Sequence, residues 1–262
     1  MIDCHAHLAG ADFDADRDAV RKRAASAGVS AVLVVGEDSR DNDRVLRVIS
    51  SASDAGSQML PCLGFHPDRF ADDRPPPSDA EVNLAMEQIR AHAAEIAAIG
   101  EVGLDYWYVK DPARRRAQGE LLEQMAALSR ELDLALNVHS RSAGHYTVDL
   151  LLAAGAERVL MHAFDGKASH AVRAAEAGYL FSVPPSVVRS EQKQKLVRRL
   201  PLECLALESD SPVLGPDRER RNEPANLTFA RDFIAGVYGV SPDRVEEVTS
   251  VNARRLFPRV AD

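Results

Sequence analysis

Short apolar runs alternate along the chain with longer stretches in which apolar side chains recur at the spacing of a helix. Continuous apolar runs are typical of strands that are buried on both faces, as in a parallel sheet. We predict eight strands, over residues 1–8, 29–35, 59–65, 96–104, 134–138, 159–162, 179–183 and 204–207. We predict helices over residues 16–27, 41–55, 79–94, 113–132, 141–154, 168–177, 191–200, 224–238 and 242–256.

The repeated alternation of strand and helix indicates an α/β protein with a parallel sheet. An open, doubly wound sheet shows the same alternation, but two features favour a closed (β/α)8 TIM barrel. Eight strands are predicted, and no Gly-x-Gly-x-x-Gly sequence follows the first of them. Polar residues also end many different strands, and in a barrel all of these ends share one face. We therefore predict one TIM-barrel domain over residues 1–262.

Composition and charge narrow the classes of function. Apolar residues make up 45% of the chain and charged residues 27%, as in ordinary globular proteins. A formal net charge of −8 argues against holding nucleic acid by bulk electrostatics, so any attraction to a phosphate polymer has to be local, for example through bound cations. Three irregularly spaced cysteines, no apolar leader and no membrane-length run predict a cytoplasmic location, or a nuclear one in a eukaryote.

The residues that end the predicted strands carry the candidate chemistry. Barrel geometry turns their scatter along the sequence into convergence in space. Histidines and carboxylates that cluster in one cleft mark a functional site. The residues are His5 and His7 on the first strand, His66 on the third, Glu101 and Asp105 on the fourth, His139 on the fifth, His162 on the sixth, and Glu208 and Asp210 on the eighth.

We predict that this cluster binds two divalent metal ions. In His5-Ala6-His7 the two imidazoles point to the same side of a strand and can reach one ion, although two half-buried strand histidines would give the same pattern. The mixed nitrogen and oxygen ligands fit zinc, manganese or iron better than calcium, and magnesium stays open. One site would contain His5, His7, Glu101 and Asp210, and the other Glu101, His139 and His162, with Glu101 as the bridge.

Three acidic residues have further candidate roles at this site. Asp210 is the predicted general base, which would accept a proton from metal-bound water, and a purely structural ligand is the alternative. Glu208 and Asp3 could accept hydrogen bonds from the outer nitrogens of metal-binding histidines.

Other polar groups on the same face could bind phosphate. Arginine suits bidentate contacts to phosphate, and the loop after the eighth strand lies where barrel enzymes bind phosphate. A solvated run of charges is an equal alternative for Arg218 and Arg220 in that loop. The sequence Tyr106-Trp107-Tyr108 could stack on a base or cap the barrel rim. The predicted substrate-binding residues are His66, Asp105, Arg141, Arg221 and Asn222.

Seven motifs follow one another along the chain: residues 3–8 (DCHAHL), 63–67 (LGFHP), 99–105 (IGEVGLD), 137–141 (NVHSR), 162–164 (HAF), 208–212 (ESDSP) and 252–257 (NARRLF). These motifs, in this order, resemble the TatD-like metal-dependent DNase family over nearly the whole chain. Residues 141–144 (RSAG), 164–166 (FDG) and 184–186 (PPS) look most like the third type of TatD-domain protein. The resemblance implies a barrel, two divalent ions, ligands at the six positions named above, and hydrolysis of DNA phosphodiester bonds, often as an exonuclease. It also implies a role for His66 and makes a monomer without an obligate protein partner the expected state.

Rival functions on the same barrel stay open from the sequence. Small-molecule amidohydrolases and lactonases resemble this plan but often use a carboxylated lysine as the bridge, where this chain offers Glu101. A non-catalytic metal-binding protein would be expected to lack the general base, whereas Asp210 is present. Deacylation of a charged tRNA is a further alternative.

Overall fold

A computed structural model describes residues 1–53 and 55–260. Residue 54 of the predicted helix 41–55 and the last two residues of the predicted domain lie outside the described residues. Within the described ranges, no helix is both long enough and apolar enough to span a membrane.

Eight parallel strands lie in the order of the sequence, and each pairs with the next. Backbone hydrogen bonds bring the first strand to the segment after the last, because the Asp210 amide donates to the His5 carbonyl at 2.9 Å. The predicted TIM barrel is confirmed. The strands are β1 (Ile2–Ala6), β2 (Ala31–Val35), β3 (Gln58–Leu63), β4 (Ala98–Gly103), β5 (Ala135–His139), β6 (Val159–Met161), β7 (Leu180–Val183) and β8 (Leu205–Leu207).

Nine α-helices follow or separate the strands in the described part of the chain. All nine predicted helices are present with shifted ends. They are α1 (Arg17–Ser26), α2 (Ser39–Ser50), α3 (Asp79–Ala91), α4 (Pro112–Leu132), α5 (Gly144–Ala153), α6 (Ala168–Glu176), α7 (Glu191–Arg199), α8 (Leu227–Tyr238) and α9 (Pro242–Leu256).

Capping side chains explain several helix starts. The Asp38 carboxylate accepts the backbone N–H groups of Arg40 and Asp41, so α2 begins at Ser39 and not at the predicted residue 41. Ser78 and Glu81 form a reciprocal capping box at the start of α3. Pro112 and Pro242 take the first positions of α4 and α9, where a missing N–H costs no helical hydrogen bond.

Strand residues divide between two apolar clusters with a period of two, as the pleat of a strand requires. In β2, Val32 and Val34 join the larger cluster, which also contains most of the buried helix residues. Ala31, Leu33 and Val35 of the same strand join the smaller one. Both faces of the strand are therefore buried, and the polar residues are concentrated at its carboxyl end and those of its neighbours.

Candidate metal centre

The strand-end residues converge on one cavity of about 430 Å³. Five of the six predicted ligands line it, all except His5, and so does the predicted substrate contact Arg141. The histidines and carboxylates that line the cavity are His7, His66, Glu101, Asp105, His139, His162, Asp165 and Asp210.

Glu101 lies at the middle of this cluster with its two oxygens facing different histidines. Oε2 is 3.3 Å from His5 Nε2 and 3.4 Å from His7 Nε2. This oxygen is buried and has no hydrogen-bond partner among the described residues. Oε1 is 2.7, 3.1 and 3.2 Å from ring nitrogens of His139, His66 and His162, respectively. One carboxylate thus connects two histidine groups.

Glycines around Glu101 allow β4 to approach its neighbours closely. A Cβ on Gly100 would lie 2.5 Å from Cβ of Asn137, and one on Gly103 would lie 2.1 Å from the His139 carbonyl oxygen. Gly103 also has φ of +148°, a conformation that side chains rarely adopt. The glycines of the sequence 99–105 therefore bring Glu101 against the end of β5.

His5, His7 and Asp210 form a second set of convergent groups. The Nε2 atoms of the two histidines are 3.4 Å apart, and Asp210 Oδ1 is 3.7 and 3.5 Å from them, respectively. Asp210 has φ of +51°, which is uncommon for a residue other than glycine. Its backbone hydrogen bond to His5 holds this conformation, so closure of the barrel aims the carboxylate at the histidine pair.

Each of the five histidines has a partner for its other ring nitrogen. His5 Nδ1 lies 2.8 Å from the Asn137 side-chain oxygen, whose amide nitrogen donates to the Cys4 carbonyl. Such partners fix the tautomer of a histidine and the direction of its ring. The other four pairs are His7 with Glu37 at 3.4 Å, His66 with Asp68 at 2.9 Å, His139 with Asp105 at 3.0 Å and His162 with Glu208 at 3.0 Å.

Opposite charges dominate the electrostatics of the cluster. Burial alone would raise the pKa of Glu101, but the histidines around it, His66 first, hold that pKa well below its ordinary value. Burial would lower the pKa of His162, but Glu208, Glu101 and Asp210 raise it well above the ordinary value. The pKa of His7 rises to about 9 against its own burial, mainly through Asp210. Without a metal, Glu101 and Asp210 are ionised and attract cations.

Asp3 serves the backbone and not a histidine ring. Its Oδ1 accepts the backbone N–H of Ser209 at 2.8 Å and that of His5 at 3.3 Å, so it joins β1 to the segment after β8. Burial raises its pKa to about 7. Glu208, by contrast, takes the position expected of it, because it accepts from His162, from Ser182 and from the Ala163 backbone.

Three predicted substrate contacts have other partners in the structure. Asp105 uses one oxygen for the backbone N–H groups of Trp107 and Tyr108 and the other for His139.

Arg221 does not reach the cavity, because its guanidinium is paired with Asp16 and lies over the Phe13 ring. Asn222 is buried, and its side chain donates to the backbone carbonyls of Ser209 and Val213 and accepts from Asn226. In the structure these contacts hold the loops around the site, and a role of the three residues in binding substrate stays a prediction.

The prediction also missed groups that the structure places at the site. Glu37 follows β2 and Asn137 lies two residues before His139, so the strand-end pattern that found the histidines could have found both. Lys193 lines the cavity from α7, and its ammonium donates to the Ala163 carbonyl at 3.0 Å. Burial lowers its pKa. No signal in the sequence separates this lysine from the other cations of that helix.

A (β/α)8 barrel that gathers histidines and carboxylates at the carboxyl ends of its strands defines a metal-dependent hydrolase class of protein. The family model for TatD-related DNases matches residues 2–258. The chain therefore belongs to the TatD-related DNase family.

Individual relatives agree with this assignment. The chain is 42% identical to the human protein named deoxyribonuclease TATDN3, over 99% of this chain and 95% of that protein. It is 30% identical to the Bacillus subtilis protein named as the metal-dependent hydrolase YabD, over 98% of each. A crystal structure of a TatD homologue from Escherichia coli matches with a TM-score of 0.88 and 25% identity, over 99% of this chain and 98% of that one.

Proposed function

We propose that this protein is a divalent-metal-dependent deoxyribonuclease that hydrolyses DNA phosphodiester bonds through a binuclear site. The position of Glu101 is the observation that carries the proposal. Its Oε2 faces His5 and His7, and its Oε1 faces His139 and His162. A carboxylate whose two oxygens face two separate nitrogen sets is placed to bridge two cations.

The residues present fit such ions. Glu101 Oε2 is a buried anionic oxygen with no hydrogen-bond donor among the described residues, which is costly unless a cation binds there. Mixed imidazole and carboxylate ligands suit zinc or manganese, with magnesium as a third candidate. Two such ions supply Lewis acidity and an activated water for displacement at phosphorus.

The partners of the outer nitrogens separate metal ligands from hydrogen-bond donors. His5, His7, His139 and His162 each direct one ring nitrogen to an oxygen acceptor and the other into the cluster. That arrangement leaves a lone pair for a metal on the inner nitrogen. We assign these four histidines as ligands, together with Glu101 and Asp210.

His66 differs from the other four. Its Nδ1 lies 2.9 Å from the Asp68 carboxylate and also 3.1 Å from the Asp68 backbone nitrogen. In the neutral tautomer that accepts this backbone N–H, the ring proton sits on Nε2, which points to Glu101 Oε1. A nitrogen that carries a proton cannot bind a metal, but it can donate to a phosphate oxygen at the bridge. We therefore assign His66 to the substrate.

The remaining groups of the cavity would act on the reacting phosphodiester. Asp210 lies 3.5 Å from His7 Nε2, at the end of the histidine pair that faces the cavity. We assign it as the general base that accepts the proton of the attacking water. The Arg141 guanidinium lies at the exposed edge of the cavity and is the candidate contact to a second phosphate.

DNA is proposed as the substrate because the chain belongs to a DNase family, and exonucleolytic cleavage is proposed from the same resemblance. We expect the 262 residues to act as one domain and as a monomer, in the cytoplasm or nucleus. These expectations stay predictions.

Hydrolysis of end-labelled single-stranded DNA tests the proposal. Wild type is assayed with chelator and then with manganese, magnesium or zinc restored, beside Glu101→Ala. The matched control is Glu95→Ala, which removes an exposed glutamate that contacts His92 far from the cavity. We expect cleavage that needs metal, survives in the control and is lost in Glu101→Ala. A folded, metal-bound wild type that leaves DNA intact would instead favour a small ester or amide.

A further inference from the structure

Six aromatic side chains lie beside the mouth of the cavity, and four of them are in ring-to-ring contact. We call this group the aromatic rim and define it as Tyr106, Trp107, Tyr108, His145, Tyr146 and His170. The Tyr106 and Tyr146 ring centroids are 5.1 Å apart, those of Tyr146 and His145 are 3.7 Å apart, and those of His145 and His170 are 5.3 Å apart. Trp107, Tyr108 and Tyr146 are 56%, 47% and 49% exposed, respectively, so large ring areas face solvent.

The fold places this rim on the active face. Tyr108 lines the cavity itself, and Trp107 precedes it in the loop after β4. His145 and Tyr146 lie in the first turn of α5, and His170 lies in the first turn of α6. The rim therefore starts at the metal centre and extends past the ends of β5 and β6, along a direction that a bound polymer could follow.

Cations are interleaved with the rings. The Arg141 guanidinium lies 5.4 Å from the Trp107 ring centroid and 4.9 Å from that of Tyr108. Arg115 lies 4.2 Å from the Tyr106 ring, and the Lys110 ammonium lies 5.6 Å from the Trp107 ring. On a chain with a net charge of −8, this is a local set of positive groups.

Carboxylates near these elements already have partners of their own. Asp149 of α5 is paired with Arg173 at 2.7 Å, and Asp165 accepts the Ser142 backbone N–H at 2.7 Å. Asp111 caps the start of α4. Their charges are thus partly offset. Lys110 and Arg115 also donate to the backbone carbonyls of Tyr106 and Val109, respectively, so the Arg141 guanidinium, which faces the Trp107 and Tyr108 rings, is the rim cation best placed to meet a ligand.

We propose that the aromatic rim binds the unpaired strand of a polynucleotide, several nucleotides from the scissile bond. Rings that stack on bases and cations that follow a phosphate backbone are what a single strand requires, whereas a duplex hides its base faces. A purely apolar protein partner would not explain the interleaved cations. This inference rests on the proposed nuclease function, because the rim leads into that cavity.

Kinetics with long and short substrates test the rim. Tyr146→Ala removes a ring that has no assigned contact to the metal centre, Tyr146→Phe keeps the ring, and Leu84→Ala removes an exposed apolar side chain on α3 as the control. For a long oligo(dT), we expect Tyr146→Ala to raise KM about tenfold with little change in kcat, since stacking on one aromatic side chain contributes that order of affinity. Tyr146→Phe and Leu84→Ala should match wild type, and all four proteins should hydrolyse bis(p-nitrophenyl) phosphate equally.

Trp107 provides a test that does not depend on turnover. It is the only tryptophan of the chain, so its fluorescence reports on the rim alone. We expect oligo(dT) to quench this emission in an Asp210→Asn background, and Tyr146→Ala to weaken the binding measured by that quenching. Binding of oligo(dT), detected by anisotropy, with unchanged emission and unchanged affinity in Tyr146→Ala would overturn the proposal.

The two proposals fail in different ways. If wild type cleaves oligo(dT) and Tyr146→Ala has the same KM, strand binding by the aromatic rim is excluded and the nuclease proposal stands. If wild type cleaves neither oligo(dT) nor bis(p-nitrophenyl) phosphate, the nuclease proposal is excluded. The fluorescence titration then still decides whether the aromatic rim binds a single strand. Emission that responds to protein concentration but not to oligo(dT) would indicate a second copy of the chain and overturn the proposal.

Discussion

At the scale of single residues, the role of a histidine depends on which of its two ring nitrogens already has a hydrogen-bond partner. Glu37 illustrates this point, because it reaches the outer nitrogen of His7 at 3.4 Å while its own side chain is 44% exposed. Through that contact Glu37 does not bind a metal ion directly, but it can fix the orientation of the His7 ring and the nitrogen that carries its proton.

Replacing Glu37 with alanine should therefore weaken metal binding and leave the fold intact. We expect affinity for zinc or manganese to fall by about 10- to 100-fold, the usual effect of losing such a partner. Isothermal titration of the metal-free protein measures the change. Glu95→Ala removes the same kind of contact from His92, outside the cavity, and should bind metal like wild type. Equal losses in both variants would show that the effect is not local.

Asp210→Asn separates proton transfer from metal binding. The amide is nearly isosteric with the carboxylate and keeps one oxygen as a ligand, but it cannot accept a proton from water at neutral pH. We expect turnover to fall by about 100-fold or more, with the fold and at least one metal retained. Single-turnover cleavage and the metal content of the purified variant are the measurements. Full activity in this variant would exclude Asp210 as the base.

The sequence predicted the metal cluster because strand ends are visible as breaks between apolar runs and polar residues. It did not show which groups hold Arg221 and Lys193 in the structure, for one physical reason. Whether a long cation on a loop or helix reaches a cavity depends on its neighbours in space, and these are Asp16 for Arg221 and the Ala163 carbonyl for Lys193.

At the scale of elements, type and order could be predicted, but ends could not. The eight strands could be predicted because both faces of each strand are buried, which gives continuous apolar runs. The nine helices could be predicted from apolar residues that recur at helical spacing. The shifted end of α2 shows what periodicity leaves out. This helix ends at Ser50, well before the predicted residue 55, and its start depends on one hydrogen-bonding carboxylate, Asp38.

The start of α3 offers a direct measure of how much such a cap contributes. Ser78 Oγ accepts the Glu81 backbone N–H, and Glu81 in turn accepts from the Ser78 backbone. Ser78→Ala removes half of this box and should lower the free energy of unfolding by about 1 kcal/mol. Urea denaturation checks this value. Ser50→Ala, which removes a hydroxyl that among the described residues bonds only to the Arg47 carbonyl in the last turn of α2, should change stability much less.

At the scale of the whole molecule, the barrel brings buried carboxylates and histidines together at one end of its strands. The chain is acidic overall, and Glu101 and Asp210 are buried carboxylates beside His7 and His162, whose raised pKa values keep them protonated when no metal is bound. Burial would lower the pKa of His7 and of His162, but the neighbouring carboxylates raise the first to about 9 and the second well above its ordinary value. Protons and metal ions therefore compete for the same nitrogens.

This competition predicts how metal should change thermal stability with pH. In the metal-free protein, the raised pKa values of His7 and His162 contribute stability that is fully present below the unfolded pKa of about 6.5 and is lost as pH rises through the folded values. Metal binding needs neutral rings, so its affinity grows over the same range, and a hundredfold excess over Kd adds about 2.7 kcal/mol. We therefore expect the difference in Tm between protein with manganese and protein with chelator to widen from about pH 6 to about pH 8.

In Glu101→Ala the difference in Tm should nearly vanish at every pH, because the carboxylate proposed to connect the two metal sites is gone. A difference that stays constant or narrows with rising pH would mean that these histidines do not exchange protons for metal, and the ligand assignment of His7 and His162 would have to be abandoned.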